Sequence, residues 1–492
     1  MTPDEPRNTG DPHAQEENRK PEPQTAAGKR IALFCIPAHG HTNPMLPVAA
    51  ELVRRGNAVR FYSFEEFGEK IRRTGAEFIP CDRFLSELSE KEEAGLKRVS
   101  ITEMTVADIG ITLKMDGFLE EEFKTFRPDA VYTDSVCFWG KLSAWKHHVP
   151  MVVSTSTFAF NQMSSRYMKQ SGAEKADIIL GLPRIIRALN SLKPCGYNIK
   201  NPMSLIQNDN KTDSVVYTSR RFQPYADSFS DHYAFVGPSV FSDVVPDKRK
   251  ERPLVYISMG TVINDRPDFY GKCIEALKDQ DVDVLISCGS AMDRTKLGQL
   301  PPNVRVEPYV NQPDVLARAD AFITHCGMNS VSESLYMATP MVLYPQTGEQ
   351  QAVAKRAAEI GAGVLLKDDS TAGIRAAVRE ILDHPAYGEA AQVCSTDFRS
   401  CSGPAGAAEF IETAPHPSNG VDVVAELNRA NTRFMILYWT IVVAVIIAAQ
   451  AAGMRRTWII GLAAGIAAGP LGKFVQEKRY ESIVRKHRER PS

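Results

Sequence analysis

The sequence lacks the marks of several common functions. It has no G-x-G-x-x-G fingerprint and no G-x-x-x-x-G-K-[ST] loop, so the dinucleotide and P-loop classes are without their signatures. Net charge is −1, which leaves no basic surplus for a nucleic-acid partner. The nine cysteines are scattered and form no C-x-x-C pair. Neither a zinc site nor a disulfide framework is implied, and reduced thiols in a cytosolic compartment are the simple reading. Residues 1–28 are polar, rich in Pro, Glu and Asn, and hold no apolar run of the signal-peptide kind; they read as a disordered tail.

What the chain does have is length and one strongly apolar end. Its 492 residues, 43% apolar and 24% charged, suit two globular domains of ordinary size. Near the C-terminus, "FMILYWTIVVAVIIAAQAAG" (Phe434–Gly453) runs twenty residues without a charge, the length that spans a bilayer. "TWIIGLAAGIAAGPLGKFV" (Thr457–Val475) follows, rich in glycine and broken by Pro470. Gly461, Gly465 and Gly469 recur every four residues, a small-residue face for helix packing. One or two transmembrane helices are expected over 434–475, as a hairpin turning at Met454–Arg456. Lys473, Lys478, Arg479, Arg485, Lys486, Arg488 and Arg490 follow or end the second segment. They place the basic tail, 476–492, and with it the main body, in the cytoplasm. Arg455 and Arg456 in the turn run against that orientation.

The body alternates strand and helix patterns. "RIALFCI", "AVRFYSF", "DAVYTD" and "VPMVVSTS" are apolar runs of buried parallel strands. Asn43 and Pro44 look like the N-cap and first-turn proline of the helix after the first strand. This α/β half spans 29–241. A charged linker, 242–253, precedes a second series: "LVYISMG", "VDVLISCG", "VRVEPYV", "ADAFITHCG", "TPMVLYPQ" and "GAGVLL". It makes a second half over 254–412, joined to the apolar end by a juxtamembrane linker, 413–433. Two Rossmann-like domains facing across a cleft are expected, with ligands beyond the carboxyl ends of the strands.

Polar residues gather where those strands end. His39, Gly40 and His41 follow the first strand, and Asp134 ends "AVYTD". A histidine backed by a carboxylate is a general base; a capping histidine and a loop aspartate are the structural alternative. In the second half, "SMGT" (Ser258–Thr261) ends a strand, and Gly260 would let amides approach a phosphate. In "HCGMNSVSE", Gly327 permits a tight turn, Asn329 and Ser330 sit at a helix start that favours an anion, and His325 adds a donor or a positive charge. Glu333 completes S-x-x-E with Ser330, a capping box, or else accepts from the hydroxyls of a ribose.

The block Tyr309–Gln350 resembles the donor signature of UDP-sugar-dependent glycosyltransferases of the GT-B fold. That family carries an aromatic-V-P-Q, a T-H-x-G-x-N-S-x-x-E and a P-x-x-x-D/E-Q; this chain has "YVNQPDVL", "THCGMNSVSE" and "PQTGEQ". "PAHGHTNPMLPVAAEL" resembles the family's acceptor loop, and "RRFQPYADSF" and "FVGPS" its bacterial macrolide and flavonoid branch. The resemblance covers about residues 31 to 412.

It implies that His41 deprotonates an acceptor hydroxyl, that Asp134 orients it, and that His39 is a neighbour. Tyr309 would stack on uracil, with Val310 and Gln312 in the same nucleoside pocket. His325, Gly327, Asn329 and Ser330 would hold the diphosphate, with Ser258 and Thr261 nearby. Glu333 would take the ribose, and Glu349 and Gln350 the sugar. Tyr309, Asn311 and Glu349 replace the family's usual Trp, Pro and Asp, and the apolar hairpin is foreign to the bacterial branch.

The implied reaction is an inverting transfer of a hexose, glucose first, from UDP-sugar to a hydroxyl of a small hydrophobic acceptor: macrolide, flavonoid, sterol or lipid-like. UDP-sugar is a co-substrate, and neither cofactor nor metal is expected. "DVD" (Asp281–Asp283) matches the Asp-x-Asp of manganese-dependent enzymes but reads as a solvated turn. Two alternatives are a UDP-sugar epimerase or hydrolase on the same fold, and a non-catalytic membrane protein with a nucleotide-sugar pocket. The acceptor cavity is expected around Phe158 and the Met-rich "FAFNQMSSRYMKQ". An anchor that reaches membrane-dissolved acceptors and an anchor that only localises the enzyme read alike.

Overall fold

The computed structural model describes residues 28–85, 100–168, 172–197, 199, 205, 210–240, 244–248, 251–260, 265–290, 292–418, 422–452, 454 and 457–488. The expected tail up to residue 27, Thr261, Arg455, Arg456, Arg490 and parts of the 242–253 linker lie outside them.

Two parallel sheets carry the body. The first holds β1 (Arg30–Phe34), β2 (Ala58–Ser63), β3 (Glu77–Pro80), β4 (Ala130–Asp134), β5 (Met151–Thr155), β6 (Ser214–Val216) and β7 (Tyr233–Phe235). Its order is β3-β2-β1-β4-β5-β6-β7. The second holds β8 (Leu254–Ser258), β9 (Asp283–Ser287), β10 (Val304–Glu307), β11 (Ala321–Thr324), β12 (Met341–Leu343) and β13 (Gly363–Leu365), in the order β10-β9-β8-β11-β12-β13. Strands such as β4, AVYTD, are buried at every residue, which is why they run apolar without alternation. Strand order reverses between β1 and β4, and again between β8 and β11. Each reversal opens a crevice beyond the carboxyl ends of its strands.

The first helix departs from expectation. It spans His39–Arg54 with Ala38 as N-cap, so Asn43 and Pro44 lie inside it and do not start it. Pro44 has no N–H, so the carbonyl of Gly40, four residues back, has no partner within the helix. That carbonyl accepts from Asn329 Nδ2 of the second half at 3.2 Å.

The halves are also joined at the back of the cleft. Arg356 donates to the carbonyls of Arg221, at 2.6 Å, and Phe222, at 3.0 Å. Phe158 packs on Phe222 and Phe222 on Phe398. After the helix Ala386–Arg399 the chain returns to the first half. The helix Gly403–Thr413 buries Ala407, Ala408 and Ile411 in its core, and Glu412 bonds Asn57 and Arg55.

Two long helices follow, Val423–Ala451 and Trp458–Arg488. The first begins before the expected Phe434. The second runs through Pro470, which does not break it. Apolar segments Val423–Ala451 and Ile459–Arg485 are each long enough to cross a membrane. They lie side by side, with Tyr438 OH bonded to the Ala464 carbonyl at 2.8 Å. Of the expected glycine face only Gly461 meets its neighbour, with Ile446 3.7 Å from where a Cβ would sit. A Cβ at Gly465 or Gly469 would meet nothing within 4 Å.

Candidate active site

The crevice of the first sheet holds a histidine–carboxylate pair. Asp134 is the last residue of β4, fully buried, and His41 lies in the first turn after β1. His41 Nδ1 is 2.8 Å from Asp134 Oδ2. A carboxylate only accepts, so Nδ1 carries the proton and Nε2 is left as the basic nitrogen. Val136 N–H donates to Asp134 Oδ1 at 3.0 Å and holds the carboxylate in place. Burial lowers the His41 pKa; the charge and hydrogen bond of Asp134, then the charge of Glu349, raise it, and the net direction is up. His39 turns away, onto Glu66 at 3.0 Å and the edge of Phe67. Ser156, just past β5, places its Oγ 3.2 Å from His41 Nδ1. No local motif marks Ser156. Its role arises from the pairing of β4 with β5, in which Asp134 stands opposite Ser154.

The crevice of the second sheet lies between Ser258, at the end of β8, and His325, one residue past β11; Thr324 pairs with Ser258. The imidazole of His325 sits between two glycines. A Cβ on Gly260 would come within 2.5 Å of the ring, and one on Gly327 within 2.6 Å. Gly260 therefore clears space for a side chain, and its φ of +82° suits glycine alone. Burial drives the His325 pKa down to about 4, against a hydrogen bond with the Ser258 backbone. His325 is thus a neutral ring at neutral pH, not a positive charge, and its Nδ1 is buried without a hydrogen-bond partner. Cys326 next to it takes a left-handed φ of 67°, the strained backbone that turns the chain into the following helix.

That helix spans Met328–Tyr336 with Gly327 as an N-cap that makes no side-chain bond. Ser330 is its third residue, so the capping-box reading of Ser330 and Glu333 is excluded. Glu333 instead accepts from Gln312 Nε2 at 2.7 Å, while the same amide lies 3.3 Å from Ser330 Oγ and Tyr256 OH donates to Gln312 Oε1 at 3.2 Å. Tyr256, on β8, was not foreseeable from a motif. Burial raises the Glu333 pKa to about 7, against the lowering effect of Gln312. Tyr309 is 82% exposed, its ring open to a stacking partner, and Val310 packs against the core beneath.

The capping box of this region belongs to Gln350. Gln350 N–H donates to Thr347 Oγ1, and Gln350 Oε1 accepts from the backbone of Gln346 and Thr347. Its amide NH2 is the end left for a ligand. Glu349 is exposed on the same turn and close enough to act on His41.

The expected acceptor cavity fails on burial, whereas the DVD turn is solvated as read. Phe158 is 1% exposed and fills the seam between the halves, and Met163 is fully buried against Val423 and Leu427, so neither lines an open cavity. Asp281 and Asp283 pair with Arg252 at the amino end of β9, the sheet edge opposite the site.

A histidine–carboxylate pair at the switch point of one parallel sheet, facing an uncapped helix start at the switch point of another, is the two-sheet arrangement of a glycosyltransferase of the GT-B fold. Comparison with known proteins gives the family. The model of the UDP-glucoronosyl and UDP-glucosyl transferase family matches residues 244–399. An uncharacterized UDP-glucosyltransferase of Bacillus subtilis, YojK, is 32% identical, covering 77% of this chain and 96% of that one. Demethyllactenocin mycarosyltransferase of Streptomyces fradiae is 32% identical, covering 81% and 89%. Among solved structures, the calicheamicin glycosyltransferase superposes with a TM-score of 0.65 at 26% identity, covering 80% of this chain and all of its own. The chain belongs to the UDP-glucosyl transferase family and is a glycosyltransferase of the UDP-glucosyl and macrolide type.

Proposed function

We propose that the enzyme transfers a hexose, glucose first, from a UDP-sugar to a hydroxyl of a small hydrophobic acceptor, with inversion at the anomeric carbon. The observation that carries this reading is the His41–Asp134 pair, at 2.8 Å, set across the cleft from the uncapped helix start at Met328. His41 Nε2 takes the acceptor proton as the oxygen attacks the anomeric carbon and UDP leaves. Asp134 holds the tautomer and meets the charge that forms on the imidazole. The departing diphosphate is met by the amides at Met328–Ser330, by Asn329 and Ser330, and by the neutral ring of His325, with Ser258 beside them.

Tyr309 stacks on the uracil over Val310. Gln312 bonds the nucleoside, and Glu333 takes the ribose hydroxyls. Glu349 and the amide of Gln350 select the sugar. Metal is not required in this reading, because fixed amides and dipoles supply the stabilisation.

The helices Val423–Ala451 and Trp458–Arg488 are read as a membrane hairpin with the catalytic halves in the cytoplasm. Both outer ends of the hairpin meet at one cluster of the first half, which agrees with a body and tail on the same side. Named relatives act in macrolide chemistry, and an acceptor of similar bulk and low polarity suits this chain.

The test is UDP release by the purified full chain with UDP-glucose and a macrolide, a flavonoid, a sterol and a diacylglycerol, each product weighed by mass spectrometry. Acceptor-dependent release with an added hexose is the expected result. Turnover of UDP-glucose without acceptor would replace this reading with a hydrolase or epimerase.

A further inference from the structure

The hairpin does not hang from the body on a loose strand. The segment before it is pinned: Asp213 Oδ2 accepts from His416 N–H at 2.9 Å, Asp213 Oδ1 holds His232 Nδ1, and His232 Nε2 meets Ser418 Oγ at 2.7 Å. His232 and Asp213 are themselves buried. Asn210 Nδ2 donates to Asp422 Oδ1 at 3.0 Å, and the same oxygen caps the first helix through Ala425 N–H at 2.9 Å.

The helices then seat together on the first half. Val423 and Leu427 of one and Ile483 of the other close around Met163, with Tyr225 and Tyr480 packed on the cluster. Glu477 is gripped twice, by Arg166 Nη1 and by Tyr225 OH, each at 2.8 Å. Tyr480 lies edge-on to Tyr225, 5.3 Å between centroids, and Tyr225 edge-on to Tyr167, at 5.9 Å. Tyr167 in turn bonds Glu359 of the donor half and carries Lys355 Nζ 4.1 Å above its ring. One unbroken run of side chains therefore joins hairpin, acceptor half and donor half.

The same loop reaches the base. It leaves β5 at Ser156, 3.2 Å from His41 Nδ1, and arrives at Arg166, under Glu477, ten residues later. At full extension ten residues reach at most ~35 Å, which bounds the distance from Ser156, beside the His41–Asp134 pair, to the hairpin root. A loose anchor would leave that distance and direction free. Contacts from four separate segments set both.

Resting on the glycosyl-transfer reading above, we infer that the hairpin is a docked part of the acceptor half that fixes this half against the bilayer, and that the acceptor is a bilayer-dissolved alcohol: an apolar body with one hydroxyl at headgroup depth. Arg166 and Glu477 are positioning residues in this scheme, outside the catalytic and donor sites. The anchor that only localises would need none of these contacts.

The experiment uses the full chain in phosphatidylcholine vesicles with UDP-glucose. Cholesterol or dioleoylglycerol in the vesicle is one acceptor, and water-soluble 7-hydroxycoumarin is the other. Arg166→Glu and Glu477→Arg should each lower the rate on the vesicle alcohol about tenfold while leaving the coumarin rate within about twofold, and the double variant should recover most of the loss, as paired charges do. Equal losses on both acceptors, no loss on either, or no recovery in the double variant would overturn the inference. If the wild type glucosylates the coumarin but neither vesicle alcohol, glycosyl transfer stands and loading from the bilayer falls. If it glucosylates nothing, both fall.

Discussion

Asn329 Nδ2 donates to the carbonyl of Gly40 at 3.2 Å, across the cleft and between the two candidate sites. The carbonyl is available because Pro44 has no N–H to offer it. Asn329→Ala removes this bridge and a donor-site amide together. Pro44→Ala weakens the bridge alone, by giving Gly40 a helical partner. Calorimetry with UDP should show about a tenfold loss for Asn329→Ala and less than about twofold for Pro44→Ala, the loss of one hydrogen bond to a charged group. Equal losses would mean that the bridge, and not the amide, sets donor affinity.

The His41 pair predicts a pH profile. Burial alone would lower the His41 pKa, and the Asp134 and Glu349 carboxylates reverse that. The proposed base works only when neutral, so kcat should fall as pH drops through a value raised above the ordinary histidine value of 6.5. Asp134→Asn removes the main opposing charge and leaves burial. Its acid limb should move to lower pH, and kcat should drop by about a hundredfold or more, the scale of lost general-base catalysis. Glu349→Gln should move the limb the same way by less. An unmoved limb in Asp134→Asn would detach the profile from His41.

Much of this site could be read from the sequence because both sheets are parallel, and such sheets gather ligand-binding residues at the carboxyl ends of their strands. His41, Asp134, Ser258 and His325 were all legible as polar residues closing apolar runs. What could not be read depended on partners far along the chain. Asn43–Pro44 has the local look of a helix start, yet the helix begins at His39 because a residue of the other half satisfies the carbonyl that Pro44 leaves open. Ser330–Glu333 matches a capping box, but the turn at Cys326 and Gly327 starts the helix earlier and frees Glu333 for Gln312. Phe158 in a Met-rich loop suits a cavity wall or a domain seam equally; only its packing on Phe222 decides. Arg166 and Glu477 are 311 residues apart, and no pattern links them.

Gly260 makes a stability prediction with an internal control. An alanine there meets a φ of +82° and the His325 ring at 2.5 Å. Gly260→Ala should cost about 2–4 kcal/mol by urea unfolding, from left-handed strain plus the displaced ring. In a His325→Ala background the ring is gone, and only the strain, about 1–2 kcal/mol, should remain. Identical losses in the two backgrounds would show that the glycine serves its own backbone and not the imidazole.

Glu333 sets function against stability. Its pKa of about 7 lies above the ordinary glutamate value of 4.5. A carboxyl raised in the folded state costs stability as pH climbs from the unfolded value through the folded one, and the cost persists above it. Glu333→Gln keeps an oxygen for the Gln312 amide and removes the charge. At pH 8 it should therefore raise the unfolding free energy of the UDP-free protein, by roughly 2 kcal/mol once partial exposure is allowed for, and at pH 4 by almost nothing. The ribose hydroxyls need the ionised acceptor, so the same variant should lose UDP affinity at pH 8. In the wild type, that affinity should fade as pH drops below about 7, and in Glu333→Gln it should be flat. Thermal unfolding at the two pH values, with and without UDP, reads all of these at once. A variant that is no more stable at pH 8 would mean that Glu333 is already neutral or well solvated there, and a variant that still binds UDP with wild-type affinity would remove Glu333 from the ribose.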